Sequence, residues 1–158
     1  DKFDDAIVRY IRRYHNLVIG ERSAEEVKKD IGSAYPSLRA GETAELKGRD
    51  LISGLPKTVT ITAEEVNEAI AEQIEDIIAA VKEVLEKTPP ELASDIMNRG
   101  IVMTGGGSLL HGMDILVSER TSLPTYIPDD AISCVAIGTG LALQNIDVLR
   151  GSEKKEIL

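Results

Sequence analysis

The sequence predicts an α/β fold in which a small α+β subdomain is inserted into a larger core. Several segments carry apolar residues at steps of three and four, as one face of an amphipathic helix does. Short apolar runs beside glycine and proline alternate with these segments, as strands do in α/β proteins. The chain has 158 residues, of which 42% are hydrophobic, so it can bury one core with a small insertion but hardly two full domains.

Two helices are predicted near the start of the chain. The first covers residues 3–14, where Phe3, Ile7 and Ile11 recur at helical spacing. The second is predicted to begin at Ser23, because Ser is a good N-cap and Glu26 follows three residues later, as in a capping box. Gly32 is predicted to end this second helix.

The following stretch predicts a small sheet. Two runs, 43–47 and 58–61, alternate polar with apolar residues, and glycine and proline surround them. Together with the second helix, these two strands indicate a small subdomain over residues 21–61.

A long helix is predicted to begin after Thr62 and to extend for about 25 residues across the body of the core. Acidic residues occupy its first turns and Lys82 and Lys87 its last ones, which suits the helix macrodipole. Pro89 and Pro90 end this helix, and a short helix over residues 91–98 is predicted to follow.

The C-terminal part predicts a strand, a glycine turn and a helix in succession. The strand covers residues 101–104, three glycines follow it, and the helix is predicted to begin near Ser108. A second strand is predicted at 125–127, and then a helix over 131–145 whose small residues would allow close approach to its neighbours. The tail 151–158 is mostly charged, and we expect it to be mobile.

Composition excludes several classes of function. A formal net charge of −9 argues against nucleic acid as a partner, since phosphate-backbone binding needs a basic face. Cys134 is the only cysteine and the two histidines lack metal-site spacing, so neither an internal disulfide nor a metal site is predicted. No stretch approaches the roughly 18 apolar residues that cross a bilayer. The chain lacks an initiator Met and enters a helix at once, so we expect it to be cut from a longer protein.

The three consecutive glycines are the sharpest local signal for a ligand. Glycines between a strand and a helix let backbone N–H groups meet a phosphate or nucleotide without a Cβ intervening. The two common glycine motifs fail, however, because Met113 stands where the Walker A motif needs Lys and Leu110 where G-x-G-x-x-G needs Gly. A ligand-free turn is therefore an equal alternative on this evidence.

Glu25 and Lys28 form the second candidate site. They lie one turn apart on one helical face and could hydrogen-bond a ribose and its base. The alternative is a surface ion pair worth less than about 1 kcal/mol.

Five longer strings, residues 1–7, 19–28, 48–56, 88–96 and 102–107, resemble in the same order the C-terminal half of the MreB and Mbl family of bacterial actin homologues. The resemblance implies an actin-like ATPase fold with a ribonuclease H-like core, in which two lobes close on a nucleotide. This chain would be most of the second lobe. Residues 1–20 and 62–150 would form its core subdomain and residues 21–61 its small outer subdomain.

The resemblance also implies an ATP site made of two segments. The first, which would contact ribose and adenine, consists of Glu25, Glu26, Val27 and Lys28. The second would lie along the adenosine and its α-phosphate, and it consists of Gly105, Gly106, Gly107, Ser108 and Leu109. The family's phosphate loops and catalytic carboxylate precede Asp1, so Mg²⁺ would be held mainly by the other lobe. No catalytic residue is expected in this chain, although the intact parent would be an ATPase.

The function implied for the intact parent is that of an ATP-dependent filament subunit that determines rod cell shape by guiding cell-wall synthesis. It would polymerise with copies of itself in the cytoplasm, at the membrane, and meet membrane and cell-wall-synthesis partners. Two alternatives are open. The chain could be a lobe of another ATPase of the actin, DnaK and sugar-kinase superfamily, or a ligand-free protein-interaction module.

Overall fold

The computed structural model describes residues 1–146 and 148. The predicted mobile tail, 151–158, lies outside these residues. The helices and strands of the described part are α1 Lys2–His15, β1 Leu17–Val18, α2 Glu21–Ile31, β2 Thr43–Asp50, β3 Pro56–Thr62, α3 Ala63–Lys87, α4 Pro90–Arg99, β4 Ile101–Val102, α5 Met113–Thr121, β5 Thr125–Tyr126 and α6 Cys134–Gln144. Two 3-10 helices cover Pro36–Arg39 and Gly106–Leu109.

The strands form two small sheets. In the first, the antiparallel order is β1-β2-β3, with Leu17 opposite Asp50 and Thr43 opposite Thr62. In the second, β4 and β5 pair in parallel, with Ile101 opposite Thr125. The sequence did not predict β1, which has only two residues and is defined by its pairing with the distant end of β2.

One hydrophobic cluster joins α1, α2, the first sheet and α3. On α3 the buried residues follow at steps of four, so one side of the helix faces this core: Val66, Ile70, Ile74 and Ile78. The burial stops before the end of the helix, where the Val84 side chain is 67% exposed. The cluster includes residues from both predicted subdomains, and the division at residues 21 and 61 stays a prediction.

The starts of two helices, α3 and α2, show where the local sequence is enough to predict a helix start and where it is not. The predicted start of α3 is confirmed: the Glu65 backbone N–H donates to Thr62 Oγ1 at 3.2 Å, and the Thr62 N–H donates to Glu65 Oε2 at 2.9 Å. The predicted start of α2 at Ser23 is wrong. This helix begins at Glu21 after Gly20, and Glu26 pairs with Arg22 at 3.1 Å instead of closing a capping box.

Two C-terminal predictions are also corrected. No continuous helix begins near Ser108, because the 3-10 helix ends at Leu109 and Gly112, with a φ of 75°, separates it from α5. The small residues of α6 do not produce close packing. None of its residues is buried, and a Cβ added at Gly138 or Gly140 would meet nothing within 4 Å among the described residues.

Candidate nucleotide-binding site

A cavity of about 300 Å³ lies where α2, the start of α1 and the glycine turn (residues 105–109) meet. It brings together the two segments that the sequence predicts for a nucleotide, although they lie some eighty residues apart in the chain. The predicted site residues that line it are Glu25, Lys28, Gly106, Gly107 and Leu109.

Hydrogen bonds hold the backbone of the glycine turn on one side, and the turn is open on the side that lines the cavity. The Gly105 N–H donates to the Ala131 carbonyl at 2.7 Å, and the buried Ser108 hydroxyl donates to the Gly105 carbonyl at 2.6 Å. A Cβ added at Gly106 would meet nothing within 4 Å, whereas one at Gly107 would lie 3.7 Å from the Phe3 ring. The space over Gly106 therefore belongs to the cavity, and a ligand can approach the backbone there.

On the opposite wall, Glu25 and Lys28 both take part in ion pairs. The Lys28 ammonium lies 2.9 Å from Asp1 Oδ2 and 2.8 Å from Asp4 Oδ1. Glu25 accepts a hydrogen bond from Lys29 at 2.6 Å, and that bond holds the pKa of the Glu25 carboxyl below its ordinary value. Glu25 and Lys28 therefore do not form the surface ion pair with each other that the sequence left as an alternative; each pairs with another residue and lines the cavity.

The other predicted residues of the site lie elsewhere. Val27 is buried in the core, with 3% of its surface exposed, and does not line this cavity. Glu26 lines a larger depression of about 490 Å³ on the far side of α2, against β2. Gly105 and Ser108 support the turn through the hydrogen bonds above and do not line the cavity.

Sequence reasoning assigned no site role to several lining residues: Asp1, Lys29, Arg39, Leu110, His111 and Ile132. Arg39 reaches the cavity because its guanidinium donates to the Asp30 carbonyl at the end of α2. His111 is held through its backbone, whose carbonyl accepts from the Ala34 N–H at 2.8 Å and from the Ser33 hydroxyl at 3.0 Å. The contacts of His111 join residues 78 positions apart in the chain, so no local pattern could have identified them.

Charged side chains of both signs line the cavity. Lys28, Lys29 and Arg39 lie beside two carboxylates, Asp1 and Glu25, and these carboxylates pair with the two lysines. The volume lies at the low end of the roughly 300–1,000 Å³ typical of ligand pockets, so it fits the nucleoside part of a nucleotide better than the whole molecule. Within the described residues, no group of three or more His, Cys, Asp or Glu side chains is placed to hold a metal ion.

No helix in the described part of the chain is both long and apolar enough to cross a membrane.

Comparison with known proteins gives consistent matches. The family model described as MreB/Mbl protein matches residues 1–151. The cell shape-determining protein Mbl of Bacillus cereus is 48% identical over 149 residues, which are 94% of this chain and 44% of that protein. A crystal structure of MreB5 of Spiroplasma citri bound to AMPPNP has a TM-score of 0.86 and 39% identity, covering 96% of this chain and 45% of that one. A MamK double helical filament has a TM-score of 0.66 at 23% identity, covering 82% of this chain and 39% of that one. The chain thus spans less than half the length of each of these proteins.

Proposed function

The chain belongs to the MreB/Mbl protein family and has the actin-like fold of its structural neighbours, and on this premise we propose that it is the nucleotide-binding second lobe of a bacterial actin-like protein. The observation that carries the proposal is the cavity between the glycine turn and α2. Structures of MreB5 of Spiroplasma citri bound to AMPPNP and to ADP support an adenine nucleotide as the ligand.

In this proposal the ligand is ATP, with its nucleoside part in the cavity. Gly106 presents bare backbone to the ligand, and Lys28 offers an ammonium donor from the opposite wall. Mg²⁺ would be held mainly by residues outside this chain. The groups that position the attacking water would also lie outside it.

The proposed role of the full-length protein is that of a filament subunit that determines rod cell shape by guiding cell-wall synthesis. The name of the Mbl relative supports the cell-shape role, and the MamK double helical filament supports polymerisation with copies of the same chain. We extend the proposal to a cytoplasmic location at the membrane, with membrane and cell-wall-synthesis partners that bind the full-length protein.

Membership of the MreB/Mbl family replaces the alternative of a DnaK-like or sugar-kinase lobe. The remaining alternative is a ligand-free interaction module. Nucleotide affinity distinguishes this module from the proposed nucleotide-binding lobe, because only the lobe loses affinity for nucleotide when a side chain fills the cavity.

Calorimetric titration of the full-length protein with AMPPNP and magnesium tests this proposal with three variants. Gly106→Val places a side chain in ligand space and should weaken binding by more than about tenfold. Lys28→Ala removes one hydrogen-bond donor and should weaken binding by about two- to twelvefold. Glu86→Ala, on the exposed end of α3, should change affinity by less than about twofold.

The backbone at Gly106 accommodates the first atom of a side chain. An added Cβ would meet nothing within 4 Å, and Gly106 does not have a positive φ. A circular dichroism spectrum checks this before titration. If folded Gly106→Val bound AMPPNP as tightly as the parent protein, residues 105–107 would be only a turn.

A further inference from the structure

We infer that Asp4 is a positioning residue that fixes the Lys28 ammonium at the wall of the nucleotide cavity. This inference rests on the proposed function, since it assigns a second residue to the same site. Asp4 does not line the cavity itself. It lies in the first turn of α1, behind Lys28, and acts on a ligand only through the lysine.

The two charges meet in a mostly buried place. Asp4 is 6% exposed and the Lys28 side chain 13% exposed, and Lys28 Nζ lies 2.8 Å from Asp4 Oδ1. Among the described residues, Asp4 Oδ1 receives no hydrogen bond of good geometry in spite of this short distance. The attraction between the two charges therefore holds the pair, and it is stronger here than at the surface because little water screens it.

Removal of Lys28 leaves the buried Asp4 carboxylate without its lysine partner, and removal of Asp4 leaves Lys28 with Asp1 alone among its two carboxylates; both changes are unfavourable. The Lys28 side chain is consequently held in the rotamer that keeps its ammonium beside Asp4, whereas a lysine at the surface would sample many rotamers. A donor that is already in place when the ligand arrives need not be ordered on binding, and this pre-organisation raises affinity.

The remaining donor capacity of Lys28 fits this role. An ammonium has three N–H donors. Asp1 Oδ2 accepts one of them at 2.9 Å, and Asp4 Oδ1 lies 2.8 Å away without a hydrogen bond of good geometry, so at least one donor is left for a ligand. Lys28 lines the cavity, which places that donor at its wall.

The same turn of α1 also contacts the opposite wall. The Phe3 ring centroid lies 6.0 Å from Lys28 Nζ, and a ring carbon lies 3.7 Å from the position of a Cβ on Gly107. The first turn of α1 thus sets the spacing between the lysine and the glycine turn. Asp4 supplies the charged part of this arrangement and Phe3 its apolar part.

Asp4 also has a second, separable task in capping α1. Its Oδ2 lies 3.4 Å from the Asp1 backbone nitrogen, and its own N–H donates to Asp1 Oδ1 at 3.2 Å. The capping contact uses Oδ2 and the lysine contact uses Oδ1, so Asp4→Asn can keep an acceptor oxygen for the cap while it removes the charge that attracts Lys28. Asp5→Asn is a matched control, because Asp5 lies in the same turn, is exposed, and forms no ion pair within the described residues.

The test is a double-mutant cycle on the full-length protein, titrated with AMPPNP and magnesium. Asp4→Asn should weaken binding by about two- to tenfold, and Asp5→Asn by less than about twofold. If Asp4 acts through Lys28, then adding Asp4→Asn to Lys28→Ala should weaken binding no further than Lys28→Ala alone, within about twofold. A purely structural role would instead multiply the two losses.

The inference would be overturned by Asp4→Asn binding like Asp5→Asn, or by a double variant that loses the product of both single effects. Should Asp4→Asn fail to fold, Asp4→Ser, which keeps a capping oxygen, takes its place in the cycle. If Lys28→Ala binds like the parent while Gly106→Val does not, the positioning role is wrong and the proposed site stands. If neither variant changes affinity, the proposed site itself is wrong.

Discussion

The turn after the glycine-rich segment requires Gly112 for two separable reasons. Its φ of +75° is one that other residues rarely adopt. A Cβ added there would also lie 2.9 Å from Tyr35 Cβ and 2.9 Å from Leu38 Cδ1. The Leu38 methyl can rotate away, but Tyr35 Cβ is attached to the backbone and cannot. Gly112→Ala therefore combines a strained conformation with a steric clash.

The magnitude follows from these two contributions. The left-handed conformation costs an alanine about 1–2 kcal/mol. Forcing an extra methyl into a packed site costs about 1–3 kcal/mol. The reduced entropy of the unfolded chain returns about 0.4–1 kcal/mol when Gly becomes Ala. Gly112→Ala should accordingly lower the free energy of unfolding by about 1–4.6 kcal/mol.

Two other glycines separate the contributions in the same urea-unfolding experiment, followed by circular dichroism. Gly41 has a φ of +81° with open space around it, so Gly41→Ala should cost at most about 1.6 kcal/mol. Gly106 has neither strain nor crowding, so Gly106→Ala should be neutral or slightly stabilising. If Gly112→Ala were no less stable than Gly41→Ala, the packing of Tyr35 against this turn would be refuted.

Two further changes test the helix cap and a buried carboxylate. Thr62→Ala removes the acceptor of the Glu65 N–H and should cost about 1 kcal/mol in thermal unfolding, while Thr62→Ser should keep most of the stability; equal losses would contradict the cap. The Ser53 N–H and hydroxyl donate to Asp50 at 2.9 and 2.8 Å and, with the backbone bond first, lower the Asp50 pKa from its ordinary 3.8. Because the folded pKa is the lower one, this stabilisation is present above pH 3.8 and is lost as the pH falls through the folded pKa. The urea midpoint should therefore drop less between about pH 4 and pH 2 in Asp50→Asn than in the parent, and equal drops would contradict the assignment.

The sequence predicts α3 well because every signal for it is local. The cap at Thr62, the apolar stripe and the two prolines after Lys87 all lie within or beside the helix. The start of α2 was missed for the opposite reason. Ser23 and Glu26 make a capping pattern that the chain does not use, since α2 begins two residues before Ser23 and the Val27 side of the helix packs into the core. Packing of this kind is invisible to a local pattern.

The candidate site, too, was predictable from the sequence only in part. The glycine turn and Lys28 could be selected from the sequence, because glycines mark accessible backbone and the family resemblance aligned both segments. Their meeting in one cavity could not, since it depends on contacts such as that between Lys28 and Asp1, 27 residues apart, and between Ser33 and His111, 78 residues apart. Asp4 in particular looks like one acidic residue among several in the first turn of a helix. Only its burial beside Lys28 distinguishes it.

Hydrogen exchange of the full-length protein, with and without saturating AMPPNP and magnesium, tests the central claim most directly. If the nucleotide binds between the glycine turn and α2, amides in residues 105–111 and 25–29 should exchange more slowly in its presence. Residues 43–47 of β2, which line the larger depression behind α2, should exchange at an unchanged rate. Slower exchange at 43–47 with no change at the glycine turn would contradict the account and place the ligand on the other side of α2.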